Sequence, residues 1–209
     1  MPSESELGDL VLLVADANME QTVKGLLSRP EALGIRVLKF EVIKHVERDP
    51  GCLKSADLLR LYRDRYRHVL VLFDREGSGR ENSSREALER EVEGRLSPDW
   101  GERARVVVLD PELEAWLWSD SPHVEVVLGW AGRTPSLRSW LIERNLLATG
   151  AVKPQRPKEA AERALRQVWK PRSSALYGEL ARKVSFQRCE DPSFRRMVEI
   201  LRGWFPRSD

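Results

Sequence analysis

Apolar residues along this chain fall into two kinds of pattern. Short apolar-rich runs occupy residues 10–15, 35–42, 69–73 and 105–109, unbroken at 10–15 and 69–73. A run of 4–8 apolar residues without alternation reads as a strand buried on both faces. Between the runs the apolar positions recur at helical spacing. Met19, Val23, Leu26 and Leu27 share one face of a predicted helix over 19–28, which Pro30 limits. Leu58, Leu59, Leu61 and Tyr62 mark a second over 53–66, after an Asp49-Pro50-Gly51 turn signal. Ser83-Ser84-Arg85-Glu86 carries the cap of a third, running to Leu96.

Strands alternating with helices over residues 10–110 predict an α/β fold: a mostly parallel, four-stranded sheet flanked by helices. Beyond Pro111 the pattern is helical throughout, over 112–119, 137–147, 157–169, 174–184 and from Asp191-Pro192 to Trp204. The last of these starts with an N-cap aspartate and a proline at the first helical position. Soft boundaries occur at 129–135 and 150–157, where Gly and Pro collect. The expected division is an α/β domain over 1–128 and a helical extension over 129–209.

The polar residues at the strand ends carry the chemistry. Asp16 follows the first run, with Glu20 four residues on; Asp74-Arg75-Glu76-Gly77 follows the third; Asp110, Glu112 and Glu114 follow the fourth. In an open α/β sheet the carboxyl ends of the strands line one edge, where ligands bind. Carboxylates crowded there repel unless a cation holds them, and hard oxygen donors favour Mg2+ or Mn2+. Each acid also has a plainer reading. Asp16 and Asp110 suit helix caps, Glu20 and Glu112 suit helix N-termini, and Asp74-Glu76 suits an ordinary polar loop. No Gly-x-Gly-x-x-Gly and no phosphate-loop lysine is present, which weakens nucleotide readings. His45, His68 and His123 lack zinc spacing, although His45 lies beyond the second strand and could reach the same edge.

Composition adjusts this picture in three ways. A net charge of +2 conceals an asymmetry: residues 151–209 hold 14 Lys and Arg against 7 Asp and Glu. An acidic front half and a basic rear half suit a polyanionic substrate, with Arg75, Lys153, Arg156, Lys158, Arg195 and Arg196 as candidate backbone contacts. The plainer reading is a solvated helical surface. Two distant cysteines, a start without a basic and apolar leader, and no long apolar run point to a cytoplasmic chain without a membrane partner. Trp116 and Trp118 read as core; Trp130, Trp140 and Trp204 read as core or as an interface.

These acids resemble the Toprim fold, which has an acidic motif after its first strand and an Asp-x-Asp pair after its third. Asp16 and Glu20 match the first motif, with Asp16 where glutamate is usual and Ala17 where glycine is usual. Asp74 and Glu76 match the second, with Glu76 in place of aspartate. The full chain is similar to a Toprim-like family of uncharacterised bacterial proteins, some belonging to methylation-associated anti-phage defence systems. Glu114-Ala115-Trp116-Leu117 and Ser193-Phe194-Arg195-Arg196 carry that likeness. It implies a Mg2+- or Mn2+-dependent nuclease acting on DNA or RNA. Asp74, Glu76, Glu20 and Glu114 would be ligands, and Asp16, Glu20 and Asp74 catalytic. It equally admits a non-catalytic metal- or nucleic-acid-binding subunit of a defence complex. A weaker reading is a small-molecule phosphohydrolase or receiver-like domain phosphorylated at Asp74.

Overall fold

The computed structural model describes residues 7–119, 121–185 and 189–207; the start of the chain and Asp120 lie outside the described residues. Four strands, β1 (Gly8–Val14), β2 (Phe40–Lys44), β3 (Tyr66–Asp74) and β4 (Ala104–Leu109), form one all-parallel sheet in the order β2-β1-β3-β4. Every residue from 69 to 73 is fully buried, as a continuous apolar run in the middle of a sheet requires. β2 is an edge strand, and none of its residues is fully buried.

From β1 the chain passes through α1 (Ala17–Leu27) and α2 (Pro30–Leu33) to β2 on one side. It then crosses over β1 through α3 (Arg48–Cys52) and α4 (Ala56–Arg60) to β3, and reaches β4 through α5 (Arg85–Trp100). The strand order therefore reverses between β1 and β3, where the carboxyl ends open a crevice.

Two expected elements differ from those observed. The second strand starts at Phe40 rather than at residue 35. Ile35 instead forms an isolated antiparallel bridge with Pro206, and the Arg36 amide donates to the Phe205 carbonyl. Only residues 40–44 run beside β1. Two short helices, α3 and α4, stand where a turn and one helix over 53–66 are expected. Asp49-Pro50-Gly51 belongs to the first of them rather than to a turn, because Pro is tolerated in an opening helical turn.

The remaining helices are α6 (Glu114–Leu117), α7 (Pro122–Leu128), α8 (Leu137–Glu143), α9 (Pro157–Gln167), α10 (Ser174–Lys183) and α11 (Pro192–Trp204). α10 crosses α1 closely at small residues. A Cβ on Gly25 would come within 2.7 Å of the Ala181 Cβ and 2.8 Å of the Gly178 carbonyl. α11 covers the β4 edge. The Val106 and Val108 amides on that edge donate to Glu93 and Glu89, and Arg196 pairs with both carboxylates. An otherwise open edge is thereby closed.

Asp191 starts α11 as the sequence anticipates. Its Oδ1 accepts from the Ser193 and Phe194 amides, and Lys153 reaches its Oδ2 at 3.1 Å. Asp191→Ala removes the cap and leaves Lys153 unpaired. It is expected to cost about 2 kcal/mol, read as a lower urea midpoint at unchanged slope; a loss within error would show that the cap carries no stability.

Candidate acidic cleft at the carboxyl edge of the sheet

The turn after β1 places Asp16 as the N-cap of α1, its Oδ1 accepting from the Met19 amide at 2.9 Å. Val14 pairs with Leu72 at the last step of the β1–β3 ladder, so Asp16 and Asp74 both leave the same carboxyl edge of the sheet. Asp74 ends β3, and its amide donates to Asp49 Oδ1 at 2.8 Å. That bond ties the segment after β2 to the end of β3. The result is a cleft of about 400 Å³ lined by Asp16, Glu47, Asp49, Asp74, Glu76 and Glu114, with the cations Arg48, Lys158 and Arg172. Six carboxylates against three cations leave an excess of negative charge.

Burial pushes the Asp74 carboxyl well above the ordinary carboxylate range, and Asp49, Glu114, Glu112 and Asp16 push it further. Its Oδ1 is sealed from solvent and has no hydrogen-bond partner. Burial likewise raises Asp49, and Asp16 adds to the effect. Glu112 is raised by burial and by Glu114. Burial works against the Lys158 ammonium, yet Glu112 and Glu114 outweigh it and hold its pKa above the usual lysine value.

Glu114 reaches the cleft at 2% exposure but is already engaged: Arg172 pairs with its Oε1 at 2.6 Å and the Tyr177 hydroxyl donates to the same oxygen at 2.5 Å. Lys158 is in place through two contacts with Glu112, by its amide at 2.9 Å and its ammonium at 3.6 Å.

Several expected site residues stand elsewhere. Glu20 does not line the cleft. Lys24 takes one carboxylate oxygen at 2.6 Å and Lys44 the other at 2.9 Å, and together they lower its pKa, Lys24 contributing most. Neither oxygen is left for an ion. Arg75 turns back to Asp110 and the Glu81 carbonyl. Lys153 is held by Asp191, Arg156 by Glu159, and Arg196 by Glu89 and Glu93. Arg195 is exposed on α11, outside the cleft. Of the six candidate backbone contacts, only Lys158 lines the cleft. His45 accepts from the Glu47 amide and packs against Gly51, outside the cleft lining.

Sequence reasoning missed Asp49, Arg172 and Tyr177. Asp49 had a usable signal, since it too follows a strand whose end must face the same edge. Arg172 and Tyr177 come from the segment after α9 and carried none.

The donor set suits a hard cation: oxygen ligands only, surplus negative charge and an orphaned buried Asp74 oxygen. Among the described residues, no group of three His, Cys, Asp or Glu side chains is arranged to hold a metal ion. Mg2+ typically needs one or two carboxylates, with water and substrate phosphate supplying the rest. Asp74 and Asp49 meet that smaller requirement.

These features define an α/β protein with an acidic crevice at the switch point of a four-stranded parallel sheet. No family model, no curated protein and no solved structure matches the chain. No described helix is long and apolar enough to cross a membrane.

Proposed function

We propose that the cleft binds a divalent cation together with a phosphate of DNA or RNA, and that the protein is a Toprim-like, metal-dependent phosphodiesterase of an anti-phage defence system. The observation that carries this reading is the unpartnered Asp74 Oδ1, buried among carboxylates that raise its pKa. An ion there would relieve both the missing partner and the repulsion.

Asp74 and Asp49 would hold Mg2+ or Mn2+, with Glu76 at the rim. When bound, the metal neutralises charge developing on the phosphoryl oxygens and acidifies a water. Asp16, fixed by its cap hydrogen bond and lining the same cleft, would orient a water there. Lys158, charged and placed by Glu112, faces the phosphate oxygens. Glu114 orients Arg172 rather than binding metal.

A test is incubation of the protein with Mn2+ and plasmid, single-stranded DNA or RNA. Cleavage abolished by a chelator is expected. A folded protein that cleaves none of the three overturns the enzymatic reading.

One observation favours a second reading, a non-catalytic subunit of a defence complex: Glu20 and Glu114 are both neutralised by cations of the chain itself. That reading expects Mn2+ to raise the melting temperature without any cleavage.

A further inference from the structure

Of the seven tryptophans, five are buried and Trp204 is half-buried, stacked on His68 at 4.4 Å. Trp169 differs, being 93% exposed. Its backbone differs too, since φ is +59°, in the left-handed region that bulky residues rarely adopt. The cause is the end of α9. The Lys170 amide donates to the Leu165 carbonyl and the Trp169 amide to the Arg166 carbonyl. That paired arrangement closes a helix with a left-handed residue, usually glycine. Here the glycine position carries the largest side chain, pointing into solvent. Neither packing nor backbone preference accounts for it.

The surroundings select a ligand. Around Trp169 stand Arg163, Arg166, Lys170 and Arg172, of which Arg163 pairs with Glu159, Lys170 donates to the Val127 carbonyl and Arg172 pairs with Glu114 and Glu162. Arg166, one turn before Trp169, is exposed and has no ion-pair partner among the described residues. Arg172, three residues after it, lines the acidic cleft. Three residues span at most about 11 Å, so the ring stands within a few nucleotides of that cleft. An exposed aromatic ring with a free guanidinium one turn away is a pairing that proteins use to hold an unpaired base and its phosphate.

We infer that Trp169 is a stacking platform for an unpaired base of a single-stranded nucleic acid whose backbone passes Arg166 on its way to the cleft. This inference rests on the nucleic-acid reading of the cleft. It adds a preference for single strands and names the residue that confers it. A duplex keeps its bases stacked on each other and gains nothing from the ring.

The experiment is fluorescence anisotropy of a labelled oligothymidylate and of a short duplex with the whole protein, in chelator so that no cleavage occurs. Trp169→Ala should weaken oligothymidylate binding at least about tenfold, with duplex binding unchanged. Trp169→Phe should retain most of the affinity. Trp169→Gly should weaken binding as Trp169→Ala does while leaving the melting temperature unchanged or higher, since glycine suits the left-handed backbone. Equal oligothymidylate affinity in wild type and Trp169→Ala overturns the platform, as does a wild type that does not bind it. The cleavage assay is read separately: activity on DNA or RNA with unaltered binding in Trp169→Ala sinks the platform and leaves the cleft assignment standing.

Discussion

Asp74→Asn is expected to reduce Mn2+-dependent cleavage at least about a hundredfold while raising the melting temperature of the metal-free protein at neutral pH. The first effect follows from the role proposed for Asp74. Charge stabilisation by a bound metal is worth several kcal/mol, and about 2.7 kcal/mol already corresponds to a hundredfold in rate. The second follows from the burial of Asp74 and the crowding of Asp49, Glu114, Glu112 and Asp16 around it. Its folded-state pKa lies above its unfolded value, so between the two the native protein binds more protons. Stability is greatest below the unfolded value and falls as pH rises through the folded one. Metal-free wild type should therefore melt lower at roughly pH 8 than at roughly pH 6, both above the ordinary carboxylate range. Asp74→Asn should flatten that slope, and Mn2+ should lift the wild-type melting temperature at the higher pH but not that of the variant. Cleavage that survives the substitution would remove Asp74 from the site. A wild-type melting temperature independent of pH across this interval would remove the buried-carboxylate account.

Arg172→Ala should be the most damaging single change to the fold among the cleft residues, at about 3 kcal/mol. Glu114 is 2% exposed, and its Oε1 takes hydrogen bonds from Arg172 and Tyr177. Removing the guanidinium leaves a buried carboxylate with one neutral donor, which is why breaking one side of a buried pair costs more than the pair contributes. In a chain of this length the loss appears as a fall of roughly 6–12 °C in melting temperature. Tyr177→Phe should cost less, about 1.5 kcal/mol, because the charge keeps its counter-ion. Adding Glu114→Gln to Arg172→Ala should restore part of the loss by removing the stranded charge. A loss under about 1 kcal/mol in the single variant, or no recovery in the double, would show that water already compensates Glu114.

How much of the site could be read along the chain depended on the kind of residue. Asp16, Asp74, Glu76 and Glu114 announce themselves by following apolar runs, and all four line the cleft. Glu20 has the same local signal and lies elsewhere, because Lys44, at the end of a neighbouring strand, competes for it. Position after a strand brings a residue to the right edge; it does not say which neighbours claim its side chain. The basic candidates show this more sharply. Lys153 and Arg196 belong to a basic stretch, yet both neutralise acids that cap α11 or close the β4 edge. Trp169 carries no signal along the chain, because an exposed tryptophan and a buried one look alike until the helix end around it is built.

The chain by itself determined that four strands alternate with helices in a mostly parallel sheet, since apolar runs separated by amphipathic segments have few other ways to bury themselves. It also determined that acids would gather at one edge of the sheet. Only the tertiary structure decided which acids share the cleft and which are neutralised. Asp49 joins Asp74 across 25 residues, and Arg172 and Tyr177 meet Glu114 across 58 and 63. Helical and strand periodicities reach only a few residues along the chain. Contacts at those separations depend on how the helices pack on the sheet, and that packing is what leaves Asp74 Oδ1 without a partner.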